Sequence, residues 1–335
     1  MSNIPFVGLH AHSVAGSIFD ALGYPNEHMD FAYENGMDAL ALTDHGNCNG
    51  LSHQVLHAKK MKAEGKDFKP IFGLEAYFLP SIKERKEEYD QAMQDKKAAR
   101  AAKKSETSGA TVEDEGASKK ASKNVLNRRR HLILLAQNQT GLNNIFKLVS
   151  RSYESEVFYR YPRLDYDMLE QYSEGVIAAS ACLGGVYAGC LWEHGIYSED
   201  GTRTGFDEDA VLRDMRQVTE KMMSIFGDRW YGELQWNNIP EQHALNKYII
   251  RMQEEYGIGL ISTADSHYPN DEAWKDRELY KRLGWLGKGR PSWAEDTELP
   301  DDVDEIGYEL YPKNGQQMWD SYKKYSAECG VQYDD

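Results

Sequence analysis

Nine side chains of metal-binding types occur along the chain in the order His10, His12, Asp20, His45, Glu75, His131, Cys182, Asp265 and His267. Imidazole, carboxylate and thiolate donors in this mixture suit zinc, manganese or iron; calcium prefers oxygen ligands alone. Nine donors are too many for one ion. They predict two or three divalent ions, zinc and/or manganese in the first place, with magnesium or iron also compatible. Clustered divalent ions hydrolyse phosphate esters, because they lower the pKa of water and shield the phosphate oxygens.

Taken singly, the pieces are modest. Alternate residues of a strand share a face, so the H-A-H of His10 and His12 can grip one ion, or be a polar pair at a strand end. In T-D-H-G, His45 is the candidate ligand. Asp44 beside it either orients a neighbouring ligand and accepts a proton during catalysis, or caps a helix. Glu75 lies inside the apolar run PIFGLEAYFLP. A carboxylate buried there needs an ion or a salt-bridge partner, since burial unpaired costs several kcal/mol. Glu75 and Asp265 are candidate catalytic groups as well as ligands, and Glu75 is a candidate bridge between two ions. Cys182 follows GVIAASA, and Asp265 and His267 sit in D-S-H after LISTA. The ordered set is far more specific than any member. The other histidines, His28, His53, His57, His194 and His243, show no partner pattern and receive no function. No GxSxG elbow, P-loop or Cys–His protease arrangement occurs.

The elements that must position these donors are short apolar runs at 4–10, 38–43, 71–79, 131–136, 175–180, 230–235 and 258–263, read as strands. Helical patterns lie between most of them, at 25–35, 143–153, 207–226 and 240–256. Strand and helix alternating about seven times predict an α/β fold with a mainly parallel sheet. A closed barrel fits better than an open sheet, because only a barrel brings the ends of all strands to one rim. His131 opens its strand, whereas the other donors lie near strand ends. An extended hairpin between 71–79 and 131–136 resolves that conflict.

The 335 residues are 41% hydrophobic, enough for a sizeable core, and 28% charged. No apolar run approaches the ~20 residues of a membrane span, and the N-terminus lacks a signal-peptide pattern. A cytoplasmic location without membrane contact is the expectation. Cys48, Cys182, Cys190 and Cys329 form no CxxC pair and are read as free thiols. The net charge of −15 argues against nonspecific nucleic-acid binding. Its distribution is uneven: residues 83–130 carry 14 Lys/Arg against nine Asp/Glu. The segment 82–127 has little to bury and reads as a charged insertion, helical in its first half and disordered in its second. The acidic stretch 296–309 reads as a solvated loop.

The segments FVGLHAHS, GMDALALTDHGN, KPIFGLEAYFLP, RRRHLILLAQNQTGLNNIFKLVSRSY, GVIAASACLGG, IFGDRWYGELQWNNIPEQHALNKYI and GIGLISTADSHY resemble the PHP (polymerase and histidinol phosphatase) domain of bacterial DNA polymerase III alpha subunits. The resemblance covers about residues 4 to 320, apart from the insertion. It implies a distorted (β/α)7 TIM-like barrel with a trinuclear metal site. In that arrangement His10, His12, Glu75 and Asp265 hold one ion, Glu75, His131 and Cys182 a second, and Asp20, His45 and His267 a third. It further implies a 3'→5' exonuclease acting in proofreading, with a DNA 3' end as substrate and polymerase domains or a separate polymerase subunit as partner. Residues 1–270 would form the barrel and 271–335 an extension leading toward a polymerase palm for which this chain has no room, so it is not expected to polymerise DNA alone. Three features depart from the family: Asp20 stands eight positions after His12, against the usual seven, Ala21 replaces a glycine, and the insertion after Leu79 is longer and more charged than is typical. Arg128, Arg129 and Arg130 beside His131 either hold the DNA backbone or form a solvated charge run. Two alternatives remain: a phosphatase acting on a small phosphomonoester, and a non-catalytic, metal-stabilised scaffold.

Overall fold

A computed structural model of the chain describes residues 4–106, 129–285 and 309–333. Its main sheet runs in the order β1 (Ala39–Leu42), β2 (Lys69–Phe78), β3 (Arg130–Ala136), β5 (Val176–Ala179), β8 (Trp230–Gln235) and β9 (Gly259–Thr263). The short β4 (Arg163–Leu164) pairs with β2. The N-terminal segment supplies the seventh stave. It does not form the continuous strand expected at 4–10, because each of its neighbours is met at one point only: Gly8 bridges Leu40, and Ala11 bridges Ser266 just beyond β9. Those bridges join the two edges of the sheet, giving a distorted (β/α)7 barrel of the TIM type.

The barrel is not uniformly parallel. β3 runs antiparallel to both β2 and β5, while β1–β2, β5–β8 and β8–β9 are parallel. In the β2–β3 hairpin Tyr77 stands opposite His131 and Glu75 opposite Ile133. The reversal brings the start of β3 to the same rim as the end of β2.

The period-two pattern sorts the two faces of the sheet. Leu74, Ala76, Phe78, Leu132, Leu134, Val176, Ala178, Trp230 and Leu234 face outward and join the main core under the helices. Ala41, Ile133, Leu135, Ala179 and Ala181 fill the barrel interior, with Ile71, Ile177, Tyr231 and Ile261 beside them. At the mouth opposite Glu75 and His131 the interior opens into an apolar cavity of about 630 Å³ lined by Leu9, Ile71, Leu135, Ile177, Tyr231 and Ile261.

The covering helices are α1 (Pro25–Glu34), α2 (Leu51–Ala63), α4 (Gln139–Ser152), α5 (Tyr166–Tyr172), α6 (Val186–Glu193), α7 (Glu208–Phe226) and α8 (Pro240–Tyr256). α7 starts where the Asp207 carboxylate accepts from the Ala210 amide and stops at Gly227. It buries Val211, Met215, Met222 and Phe226, one stripe at helical spacing. α8 begins on Pro240 and ends on left-handed Gly257. A two-stranded hairpin, β6 (Gly195–Tyr197) with β7 (Arg203–Phe206), follows α6 and has no counterpart in the sequence reading.

Helix α3 (Ile82–Glu106) fills the first half of the charged insertion and follows β2 in the chain. The expectation of disorder in its second half, and the solvated loop at 296–309 except Glu309, lie outside the described residues. Beyond the barrel come α9 (Trp274–Trp285) and α10 (Gly315–Glu328). Residues 309–333 pack back on the barrel: Asn314 Nδ2 donates to Asn35, and the Tyr333 hydroxyl lies 2.7 Å from His243 Nδ1. Among the described residues no helix is long and apolar enough to cross a membrane.

Candidate metal centre

All nine predicted donors meet at one rim. His10 Nε2 and His12 Nε2 are 3.0 Å apart, and Asp265 Oδ1 is 3.1 Å from the first and 3.3 Å from the second. Glu75 reaches the histidines with both oxygens. Oε1 lies 2.8 Å from His131 Nδ1 and 3.6 Å from His10 Nε2; Oε2 lies 2.6 Å from His45 Nδ1 and 3.3 Å from His12 Nε2. Cys182 Sγ is 3.6 Å from His131 Nδ1 and 3.9 Å from Glu75 Oε1. Asp20 Oδ2 is 2.9 Å from His45 Nε2 and 3.5 Å from His267 Nε2. The extra residue between His12 and Asp20 therefore does not carry Asp20 away from the cluster.

Three groups bring their donor atoms close enough to share an ion: His10, His12 and Asp265; His45, Glu75 and His131; and His12, His45 and His267. Hydrogen bonding leaves three of these atoms unsatisfied. His45 Nδ1, Glu75 Oε2 and Asp265 Oδ1 are buried without a hydrogen-bond partner, although a donor or acceptor lies within 2.6–3.4 Å of each. Buried lone pairs left without a hydrogen-bond donor, gathered within reach of a shared point, are what cation ligands supply. The donor set and this geometry fit divalent ions.

Local backbone conformation turns several donors inward. Phe19, Ala181 and Asp265 have φ of 63°, 61° and 49°. Each is, or directly precedes, a candidate ligand. Left-handed geometry in a non-glycine residue costs about 1–3 kcal/mol and collects at functional sites. Gly184 serves the site differently: a Cβ there would stand 3.0 Å from His131 Nδ1, so its absence lets the ring lie against the Cys182 loop.

The charges are strongly coupled. Burial works against ionisation of Glu75, but His131, His45 and His10 overcome it and hold its pKa well down. Asp265 is lowered in the same way by His10 and His267, and Asp20 by His267 and His45. His45 is lifted to about 10 by Glu75 and Asp20 despite its burial. His12 is pushed down by burial and by His45 and His267. Burial raises the Cys182 thiol, with Asp265 and Glu75 adding to it.

Two further carboxylates support the ligands from behind. Asp44 does not face the cluster. Its oxygens accept from the Ser13 amide at 2.6 Å, the Ser13 hydroxyl at 2.9 Å and the Ser17 hydroxyl at 2.9 Å. Ser17 Oγ in turn meets His12 Nδ1 at 3.3 Å and the His45 amide at 3.1 Å. Asp44 thus contacts the ligands through Ser17. Glu233, which no sequence motif singles out, backs His10. It is fully buried, and its Oε1 lies 2.7 Å from His10 Nδ1 while accepting from Thr263 Oγ1 and Gln235 Nε2. The signal was available, since Glu233 interrupts the apolar strand WYGELQ just as Glu75 interrupts its own. Four of the five unassigned histidines do have structural partners: His28 Nε2 meets Leu22 O, His57 meets Asp30, His194 meets Asp214, and His243 meets Asn237 O and Tyr333. All four cysteines are free thiols.

The PHP domain family matches residues 8–237, and the chain belongs to that family. Among curated proteins it resembles DNA polymerase III subunit alpha of Aquifex aeolicus, at 35% identity over 80% of this chain and 18% of the relative. It resembles the same subunit of Campylobacter jejuni at 30% identity over 93% of this chain and 21% of the relative. The chain spans about a fifth of the length of these relatives. Among solved structures, an amidohydrolase from Chromobacterium violaceum aligns with a TM-score of 0.39 and 12% identity, over 82% of this chain and 96% of the other. A chain from Bifidobacterium adolescentis described as a metal-dependent phosphoesterase aligns with a TM-score of 0.40 and 10% identity, over 96% of each.

Proposed function

We propose that the chain is a divalent-metal-dependent phosphodiesterase that removes nucleotides from a DNA 3' end, as the PHP domain of a polymerase III alpha-like replicative polymerase. The observation that carries the reading is the convergence of nine donors at one rim, seven of them in groups close enough to share an ion, with buried atoms of His45, Glu75 and Asp265 left without a hydrogen-bond partner. His10, His12, Glu75 and Asp265 would hold one ion, Glu75, His131 and Cys182 a second, and Asp20, His45 and His267 a third. Bound divalent ions polarise a phosphate and lower the pKa of water.

The protein's own groups prepare that chemistry. Glu75 turns one oxygen to His131 and the other to His45, which suits a bridge between two ions. Glu233 holds the proton of His10 on Nδ1, so that Nε2 presents its lone pair to the cluster. Ser17, fixed by Asp44, orients the His12 ring. Glu75 is sealed at 1% side-chain exposure, whereas the Asp20 side chain is 40% exposed. Substrate therefore approaches from the side of Asp20. In this reading residues 1–270 form the hydrolytic barrel, with the insertion at 82–127. Residues 271–335 lead toward polymerase domains or a separate polymerase subunit.

The test is metal analysis together with hydrolysis of a single-stranded oligonucleotide by wild type and Asp265→Ala, with zinc, manganese or magnesium supplied. Wild-type cleavage from the 3' end, lost in Asp265→Ala together with bound metal, is the expected result. Metal retained by a wild type that cleaves nothing would leave a metal-stabilised scaffold. Preference for p-nitrophenyl phosphate would leave a phosphatase.

A further inference from the structure

A cation–aromatic wall stands beside the metal centre, and the hydrolytic reading leaves it without a role. Tyr77 follows Glu75 by two residues on β2, so the two side chains leave the same face. Its ring lies nearly parallel to that of His45, 5.9 Å away at 14°, and edge-on to His131 at 5.5 Å. Tyr161 packs edge-on against Tyr77 at 5.1 Å. The Arg129 guanidinium lies 3.7 Å from the centroid of Tyr161 and 5.1 Å from that of Tyr77. All three residues are half-buried. The wall is braced from behind at Gly46, directly after His45. A Cβ there would stand 2.6 Å from Pro162 Cγ and 3.2 Å from the Tyr77 ring, and φ is +66°.

This arrangement offers more than a small phosphate ester needs, since such a substrate would be held by the metal centre alone. Stacking on tyrosine fixes the guanidinium plane and pre-orients its fork for a phosphate. Aromatic rings beside a cation form the platform on which single-stranded nucleic acid stacks, without sequence preference. A polynucleotide strand entering the site carries both a second phosphate and an unpaired base next to the cleaved nucleotide.

We propose that Tyr77, Tyr161 and Arg129 form a subsite for the nucleotide adjoining the cleaved one in a single-stranded 3' end, with Arg129 on its phosphate and the tyrosines against its base. The proposal rests on the phosphodiesterase reading and deepens it. The subsite makes the enzyme select polynucleotide over phosphomonoester, and it requires a frayed, unpaired end.

The test uses the full chain loaded with zinc or manganese and a fluorescent single-stranded oligothymidylate whose 3'-terminal linkages are phosphorothioates, which slow cleavage, its length verified on a gel after each titration. Anisotropy gives the affinity, and metal content is measured on the same samples. Tyr161→Ala and Arg129→Gln should each weaken binding about tenfold, as loss of base stacking or a phosphate contact does. Arg129→Lys should recover part of the Arg129→Gln loss, and metal content should stay at the wild-type value. Unchanged affinity in both variants overturns the subsite, as does loss of affinity accompanied by loss of metal. Affinity is read only on intact probe, so a protein that shows the affinity differences but hydrolyses no unmodified oligonucleotide sinks the catalytic reading and upholds the subsite.

Discussion

Arg277 Nη2 donates to Asp20 Oδ1 at 2.9 Å, and Arg277 Nε donates to the Asp20 carbonyl at 2.7 Å. The arginine is 4% exposed and sits on α9, beyond the last stave of the barrel. By occupying Oδ1 it leaves Oδ2 toward His45 and His267. The segment after the barrel therefore fixes the most exposed carboxylate of the metal centre.

Arg277→Gln should remove that constraint and cost about 1 kcal/mol of stability, the scale for an ion pair whose carboxylate reaches solvent. Bound metal should fall by about one ion per chain while the remaining ions are retained. Arg277→Lys keeps the charge without the two-pronged fork and should recover only part of the loss. Mass-spectrometric metal counting alongside thermal unfolding checks this. Full metal content in Arg277→Gln would show that Asp20 needs no such support.

Glu233→Gln should lower metal affinity about 10- to 100-fold, the range for losing a carboxylate behind a metal-binding histidine. Competition with a zinc chelator measures it. Equal affinity in variant and wild type would remove Glu233 from any role in orienting His10.

Metal binding should release protons. In the ion-free protein Glu75 and Asp20 lift His45 to about 10, so it is protonated at neutral pH and must lose a proton to bind an ion. Apparent affinity should therefore rise with pH through the neutral range. Zinc titrations by calorimetry in buffers of different ionisation enthalpy should give different apparent heats; identical heats would contradict the proposal.

His28 should impose an acid-side stability loss of its own. Burial lowers its pKa from 6.5 to about 4, against the bond to the Leu22 carbonyl. Between those values the unfolded chain binds the proton and the folded chain does not, so stability rises with pH across this window. The full effect, about 3 kcal/mol, is present above pH 6.5 and is lost by pH 4. Denaturant unfolding of chelator-treated wild type and His28→Gln at several pH values tests it. The variant should have the flatter profile; parallel profiles would refute the assignment.

Much of the centre was legible in the chain because strand ends are local features. The period-two pattern that put Glu75 in an apolar run also placed it on the interior face, and H-A-H and D-S-H each set two donors side by side. The hairpin that reconciles His131 with the other donors followed from its position at the start of a strand. The N-terminal stave was misread as a strand because its apolar residues pack like one, whereas strand assignment depends on pairing partners that it meets at single points. That Asp44 reaches the ligands through Ser17 is not legible, because successive side chains on an extended segment point in opposite directions and the intervening partner comes from another loop.

By itself the sequence determined the donor types, their order at successive strand ends and the alternation that makes a barrel, since these depend on residue chemistry and short-range backbone geometry. Only the tertiary structure decided which atoms face one another across long stretches of chain: Arg277 on Asp20, Glu233 behind His10, and Arg129 over Tyr161. Such pairings depend on how helices and loops pack around the closed sheet, and no local pattern encodes that geometry.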